Sequence, residues 1–110
     1  MSDATAVILL TTIGATADVE PLARALVEER LAACVNVLPG LRSVYRWQGA
    51  IQREDEVLLL IKTTRAQVEP LTARVASLHP HELPELVAVE VAGGLAAYLD
   101  WVEEQTRTGD

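Results

Sequence analysis

Phenylalanine is missing from this chain, and its aromatic complement is two tryptophans and two tyrosines. Leu, Val, Ile and Ala must therefore fill the core. A single cysteine, Cys34, excludes an intrachain disulfide. Basic side chains are scarce: 9 Lys and Arg stand against 16 Asp and Glu, for a formal net charge of −7, and Lys62 is the only lysine. That balance opposes non-specific nucleic-acid binding, which needs cations to displace counterions. It also opposes an anionic membrane surface. No segment approaches the ~20 apolar residues that cross a bilayer. The start, MSDATAVILL, has an acid where a signal peptide has basic residues, and its apolar run is short. The cytoplasm is the expected compartment. A small cation is the charge-compatible partner.

What is present is half apolar over 110 residues, enough for one packed domain, 1–110, without room for a second. Leu31 to Gly49, LAACVNVLPGLRSVYRWQG, reads as one long strand, Cys34 to Trp47, broken by Pro39-Gly40. Typical strands run ~5–6 residues. A strand of this length is expected to outgrow its own domain and be shared with other subunits. Around it, Ala6–Leu10 reads as a strand buried on both faces, and Asp18–Ala33 as a helix capped by Asp18 with Pro21 in its first turn. The chain turns at Gln48-Gly49 into a third strand, Ile51–Thr63, apolar throughout its centre. Ala66–Leu78 has helical spacing, His79–Glu85 is a loop, Leu86–Val91 a strand ended by Gly93-Gly94. A final helix carries Leu95, Tyr98, Leu99 and Val102 on one stripe, and the tail from Arg107 is expected to fray.

The order βαββαβ holds a faint repeat. Thr11-Thr12 precedes Val19-Glu20-Pro21-Leu22 as Thr63-Thr64 precedes Val68-Glu69-Pro70-Leu71. Two similar βαβ halves make a split βαβ, an α+β ferredoxin-like sandwich.

Candidate chemistry is sparse. With the turn at Gln48-Gly49, Cys34 pairs with position 63, or with Lys62 if Pro39-Gly40 adds a bulge. A neighbouring ammonium favours thiolate, which binds soft metals; a buried structural cysteine beside a lysine is the alternative. His79 and His81 flank Pro80, with Glu82 and Glu85 close by. Imidazole and carboxylate suit Cu(II) or Zn(II), although loop histidines are mostly just exposed. Glu56 and Lys62 share a face of the third strand six residues apart, ~20 Å at the usual rise. A Cys34–Glu56–His79 site would thus have to form across two subunits. Tyr45 and Trp47 alternate with Arg46 near the hairpin tip, in the manner of interface anchors or of a lid on the subunit's own core. No Gly-rich phosphate loop, paired-cysteine motif or HExxH pattern occurs. A hydrolase triad finds little support, and the chain is not expected to be an enzyme.

The blocks LAACVNVLPG, SVYRWQG, EVLLLIKT, HPHELPEL and YLDWV resemble the CutA divalent-cation tolerance family, in family order from about Ile8 to Val102. The resemblance implies a ferredoxin-like homotrimer in which the long hairpin extends the sheet between subunits. It implies a role in tolerance of divalent metals, copper above all, with metal bound in the inter-subunit cleft. Copper sites proposed for some members use a cysteine and two adjacent histidines at positions matching Thr11, Leu78 and His79, so two of three ligands are missing here. His81 stands where the family usually has tyrosine. His79, Cys34, Glu56 and His81 are the candidate metal ligands; Lys62, Tyr45, Trp47 and Glu85 are candidate cleft or interface residues. The architecture is also similar to the PII signalling trimers. That likeness implies an alternative role, a scaffold binding a small metabolite or protein, with Lys62 meeting a small anion.

Overall fold

A computed structural model describes residues 5–108. β1 (Ala6–Gly14), α1 (Glu20–Glu28), β2 (Cys34–Trp47), β3 (Ala50–Thr64), α2 (Val68–Leu78), β4 (Val87–Glu90) and α3 (Ala96–Thr106) follow in order, with a 3₁₀ turn at Arg65–Gln67 before α2. One antiparallel sheet has the strand order β2-β3-β1-β4. This is the ferredoxin-like α+β arrangement.

Strand parity determines the layers. Val7, Leu9, Thr11 and Ile13 of β1 pair with Thr63, Ile61, Leu59 and Val57 of β3, and all eight are buried. They lie beneath Leu22 and Leu26 of α1 and Leu71 and Val75 of α2, which with Ala32 complete the core. Alternation sends the intervening residues to the opposite face. There α3 packs against β3 and β1, and the Lys62 ammonium lies 5.7 Å from the Tyr98 ring centroid.

Several element bounds differ from the sequence reading. β1 runs on to Gly14 because its ladder with β3 continues to the Gly14–Glu56 pair. α1 stops at Glu28 rather than Ala33. Arg30 turns left-handed (φ 61°), the Leu31 and Ala32 amides donate back to the Leu26 carbonyl, and Thr63 Oγ1 donates to the Leu31 carbonyl at 2.8 Å. Asp18 accepts the Glu20 amide at 3.3 Å, but the cap position itself is Val19. The α3 stripe is only partly covered: Val102 is buried, whereas Leu95 precedes the helix and is 75 % exposed. The tail beyond Thr108 and the first four residues lie outside the described residues.

The hairpin sets the geometry of everything functional. Gln48 and Gly49 both take positive φ, 51° and 82°, the two-residue turn whose twist matches paired strands. Pro39-Gly40 forms a bulge between Leu38 and Leu41, with Gly40 at φ 86°, and the resulting register places Cys34 opposite Lys62. Beyond the bulge the hairpin leaves its own core, stretching the molecule to 49 × 26 × 22 Å. Val44 and Ile51 there are 66 % and 63 % exposed.

Candidate functional site

Past the bulge, Leu41, Ser43, Tyr45 and Trp47 of β2 stand opposite Glu56, Glu54, Gln52 and Ala50 of β3. Pairing and alternation put all of these on the face away from the α1/α2 core. The loop after α2 folds over that face, so Pro80, His81, Glu82, Leu83 and Glu85 complete a cleft of about 700 Å³. The lining includes Glu54, Glu56, Glu82 and Glu85 but no lysine or arginine. The site is therefore a cation's environment rather than an anion's.

Three donors converge in it. One ligand atom each from Glu54, Glu56 and His81 lies within 4.8 Å of the others. Glu56 is 4 % exposed, and among the described residues no hydrogen bond or ion pair engages its carboxylate. Glu54 is held from the side: the Tyr45 hydroxyl donates to Glu54 Oε1 at 2.5 Å. That bond, chiefly, pushes the Tyr45 phenol up to about 12, with desolvation and the charges of Glu54 and Glu56 adding to it. Two carboxylates and an imidazole form a mixed O/N set suited to first-row divalent ions, and three protein donors leave further coordination positions open.

Of the other expected residues, His79, Cys34 and Lys62 stand outside this cluster. His79 is 8 % exposed, and both ring nitrogens are engaged, Nε2 with the Thr12 carbonyl at 2.6 Å and Nδ1 with the His81 amide at 3.0 Å. Cys34 and Lys62 sit opposite one another at the far end of the hairpin, outside the cleft lining. The thiol's hydrogen-bond partner is Asn36 Oδ1 at 3.7 Å. Thr11, which the resemblance matched to a cysteine ligand, is fully buried on the core face, and its hydroxyl has no partner among the described residues. Leu78 is 40 % exposed. Tyr45, Trp47 and Glu85 line the cleft. Glu54 is a member that residue type alone did not single out; its signal is parity, since it lies two residues before Glu56 on the same strand face.

The chain matches the model of the CutA1 divalent ion tolerance protein family over residues 7–105. It is 50 % identical over 99 residues to the divalent-cation tolerance protein CutA of Thermus thermophilus, covering 90 % of this chain and 96 % of that one. The solved structure of the divalent cation tolerance protein from Thermus thermophilus superposes with a TM-score of 0.88 at 48 % identity, over 93 % of this chain and 99 % of that one. The PII-like protein CutA of Nostoc superposes with a TM-score of 0.83 at 41 % identity, over 92 % and 97 %. Sequence and fold agree, and the chain belongs to the CutA1 divalent ion tolerance family.

Proposed function

We propose that this chain contributes to divalent-cation tolerance by binding the ion directly, through Glu54, Glu56 and His81. The convergence of those three donors within 4.8 Å, in a cleft whose lining has no lysine or arginine, carries the reading. The Glu56 carboxylate lines the cleft with no hydrogen-bond or ion-pair partner among the described residues, which leaves its oxygens available to a divalent ion. Copper(II) is the ion of choice: imidazole and carboxylate suit it, and it heads the divalent affinity order. No enzymatic step is assigned to the site.

The working form is proposed to be a cytoplasmic homotrimer. The support for the trimer is the hairpin, whose outer half carries exposed Val44 and Ile51; that for the compartment is the sequence alone.

Calorimetric titration of the untagged protein with Cu(II), run beside Glu56→Gln, tests direct binding. Saturable binding lost in the variant supports it, while an equal response in both proteins refutes it. Affinity should also fall on acidification, because carboxylates and imidazole bind metal only when deprotonated.

A second reading, a PII-like scaffold, draws on the likeness to the Nostoc protein and on Lys62, a lone ammonium over Tyr98 away from the acidic cleft. It predicts that Lys62→Ala abolishes binding of a small anion and leaves Cu(II) affinity unchanged. If every ligand response survives the substitution, that reading fails.

A further inference from the structure

We infer that His79 is a positioning residue for the Glu54–Glu56–His81 cluster and not one of its ligands; the inference rests on the metal-binding reading above. A neutral imidazole has one N–H donor and one acceptor nitrogen. The Thr12 carbonyl can only accept, so Nε2 of His79 carries the proton and donates to it. The His81 amide can only donate, so it uses the lone pair of Nδ1. Neither nitrogen of His79 retains a lone pair for a metal.

What those bonds accomplish is local. β4 pairs with β1 only over Val7–Leu10, so Thr12 lies past the end of that ladder, where the His79 ring takes up its carbonyl. The ring thereby ties the loop after α2 to the sheet. The second bond closes a turn over Pro80, whose fixed φ narrows the path of the chain. The His79 and His81 rings then pack with centroids 4.7 Å apart at 55°. Anchored to β1 at one end and to the His81 backbone at the other, His79 presents the His81 imidazole to the two carboxylates of β3. Partners that orient a metal-binding histidine commonly change affinity by ~10–100-fold when removed.

Cu(II) is the probe, on untagged protein, with calorimetry for affinity and electron paramagnetic resonance for the number of coordinated nitrogens. The wild type should show one imidazole nitrogen. His79→Phe keeps a ring but removes both hydrogen bonds, and should weaken Cu(II) by ~10–100-fold while the saturated spectrum keeps its nitrogen. His79→Asn restores an oxygen that can accept the amide two residues on but not the ring that meets the Thr12 carbonyl, so it should recover only part of the affinity. If His79→Phe does not fold, full wild-type affinity in His79→Asn overturns the inference. His81→Gln should remove the nitrogen signal. Two nitrogens in the wild type, loss of the nitrogen in either His79 variant, or unchanged affinity in both would overturn the inference. The two failures are distinguishable. Silent His79 variants in a protein that still loses Cu(II) with Glu56→Gln sink the positioning role alone, whereas a wild type that binds no Cu(II) sinks the metal reading and this one with it.

Discussion

The Tyr45 hydroxyl and the Glu54 carboxylate are joined at 2.5 Å across the β2–β3 ladder, diagonally on one face, since Tyr45 stands opposite Gln52 and Glu54 opposite Ser43. The bond raises the phenol to about 12, because ionising it would put two anions in contact. An acid whose folded pKa lies above its unfolded value, here near 10, adds stability that is complete below pH 10. That stability is lost as pH rises through about 12. Tyrosinate absorbance should show one tyrosine titrating late, and Glu54→Gln should bring it down towards the ordinary phenol range. An unchanged titration curve would show that the bond is not made in solution.

Thr11→Val should stabilise the protein. The hydroxyl is fully buried without a partner among the described residues, whereas Thr63, at the same place in the second half of the fold, donates to the Leu31 carbonyl. Valine keeps the shape and removes the uncompensated group, a gain of about 1–2 kcal/mol. Thermal unfolding should move up by roughly 5 °C or more. A lower midpoint would mean that the hydroxyl has a partner after all.

Arg74 of α2 donates from Nε and Nη2 to the two carboxylate oxygens of Glu29, at 2.9 and 2.8 Å, just past the end of α1. Glu29 is held below the ordinary glutamate range, first by that hydrogen bond and then by the charge of Arg74, with desolvation opposing. A carboxyl with a depressed folded pKa adds stability above its unfolded pKa and loses it as pH falls through the folded one. A double-mutant cycle of Glu29→Gln and Arg74→Gln should therefore give a small coupling at neutral pH that fades on acidification and in high salt. A coupling that grows with acid would contradict the pairing.

Assembly and metal binding should separate. Ile51 belongs to the hairpin face opposite the cleft and is 63 % exposed, so Ile51→Glu should break the proposed trimer without entering the site. Light scattering should give a trimer for the wild type and a smaller species for the variant. Since Glu54, Glu56 and His81 come from one chain, the variant should still bind Cu(II). Loss of binding on dissociation would favour instead a site shared between subunits, such as Cys34–Glu56–His79.

The hairpin is the most legible part of the fold in the sequence. An extended run broken once by Pro39-Gly40 and turned at Gln48-Gly49 marks both strands and narrows the partner of Cys34 to position 63 or Lys62; the bulge between Leu38 and Leu41 decides for Lys62. The end of α1 is not legible: the spacing of Leu22, Leu26 and Leu31 continues past Arg30, and the left-handed turn there is held by a bond from distant Thr63. The same division runs through the site. Residue types point to His79, His81 and Glu56, but the sequence does not say what a ring nitrogen already binds, and both nitrogens of His79 are taken. Nor does register give side-chain direction. Lys62 faces Cys34 across the ladder, yet its ammonium lies over Tyr98. The apolar stripe of α3 is covered only in part: Val102 is buried, whereas Leu95 and Tyr98 are exposed.

Anomalous diffraction from a crystal of the untagged protein soaked with Cu(II), collected at the copper edge, addresses the metal site itself. One peak per chain, within coordination distance of Glu54, Glu56 and His81 and clear of both His79 nitrogens, is the expected result. A peak on Cys34 or His79, or none at a concentration that saturates the protein in solution, would contradict direct binding by this cluster.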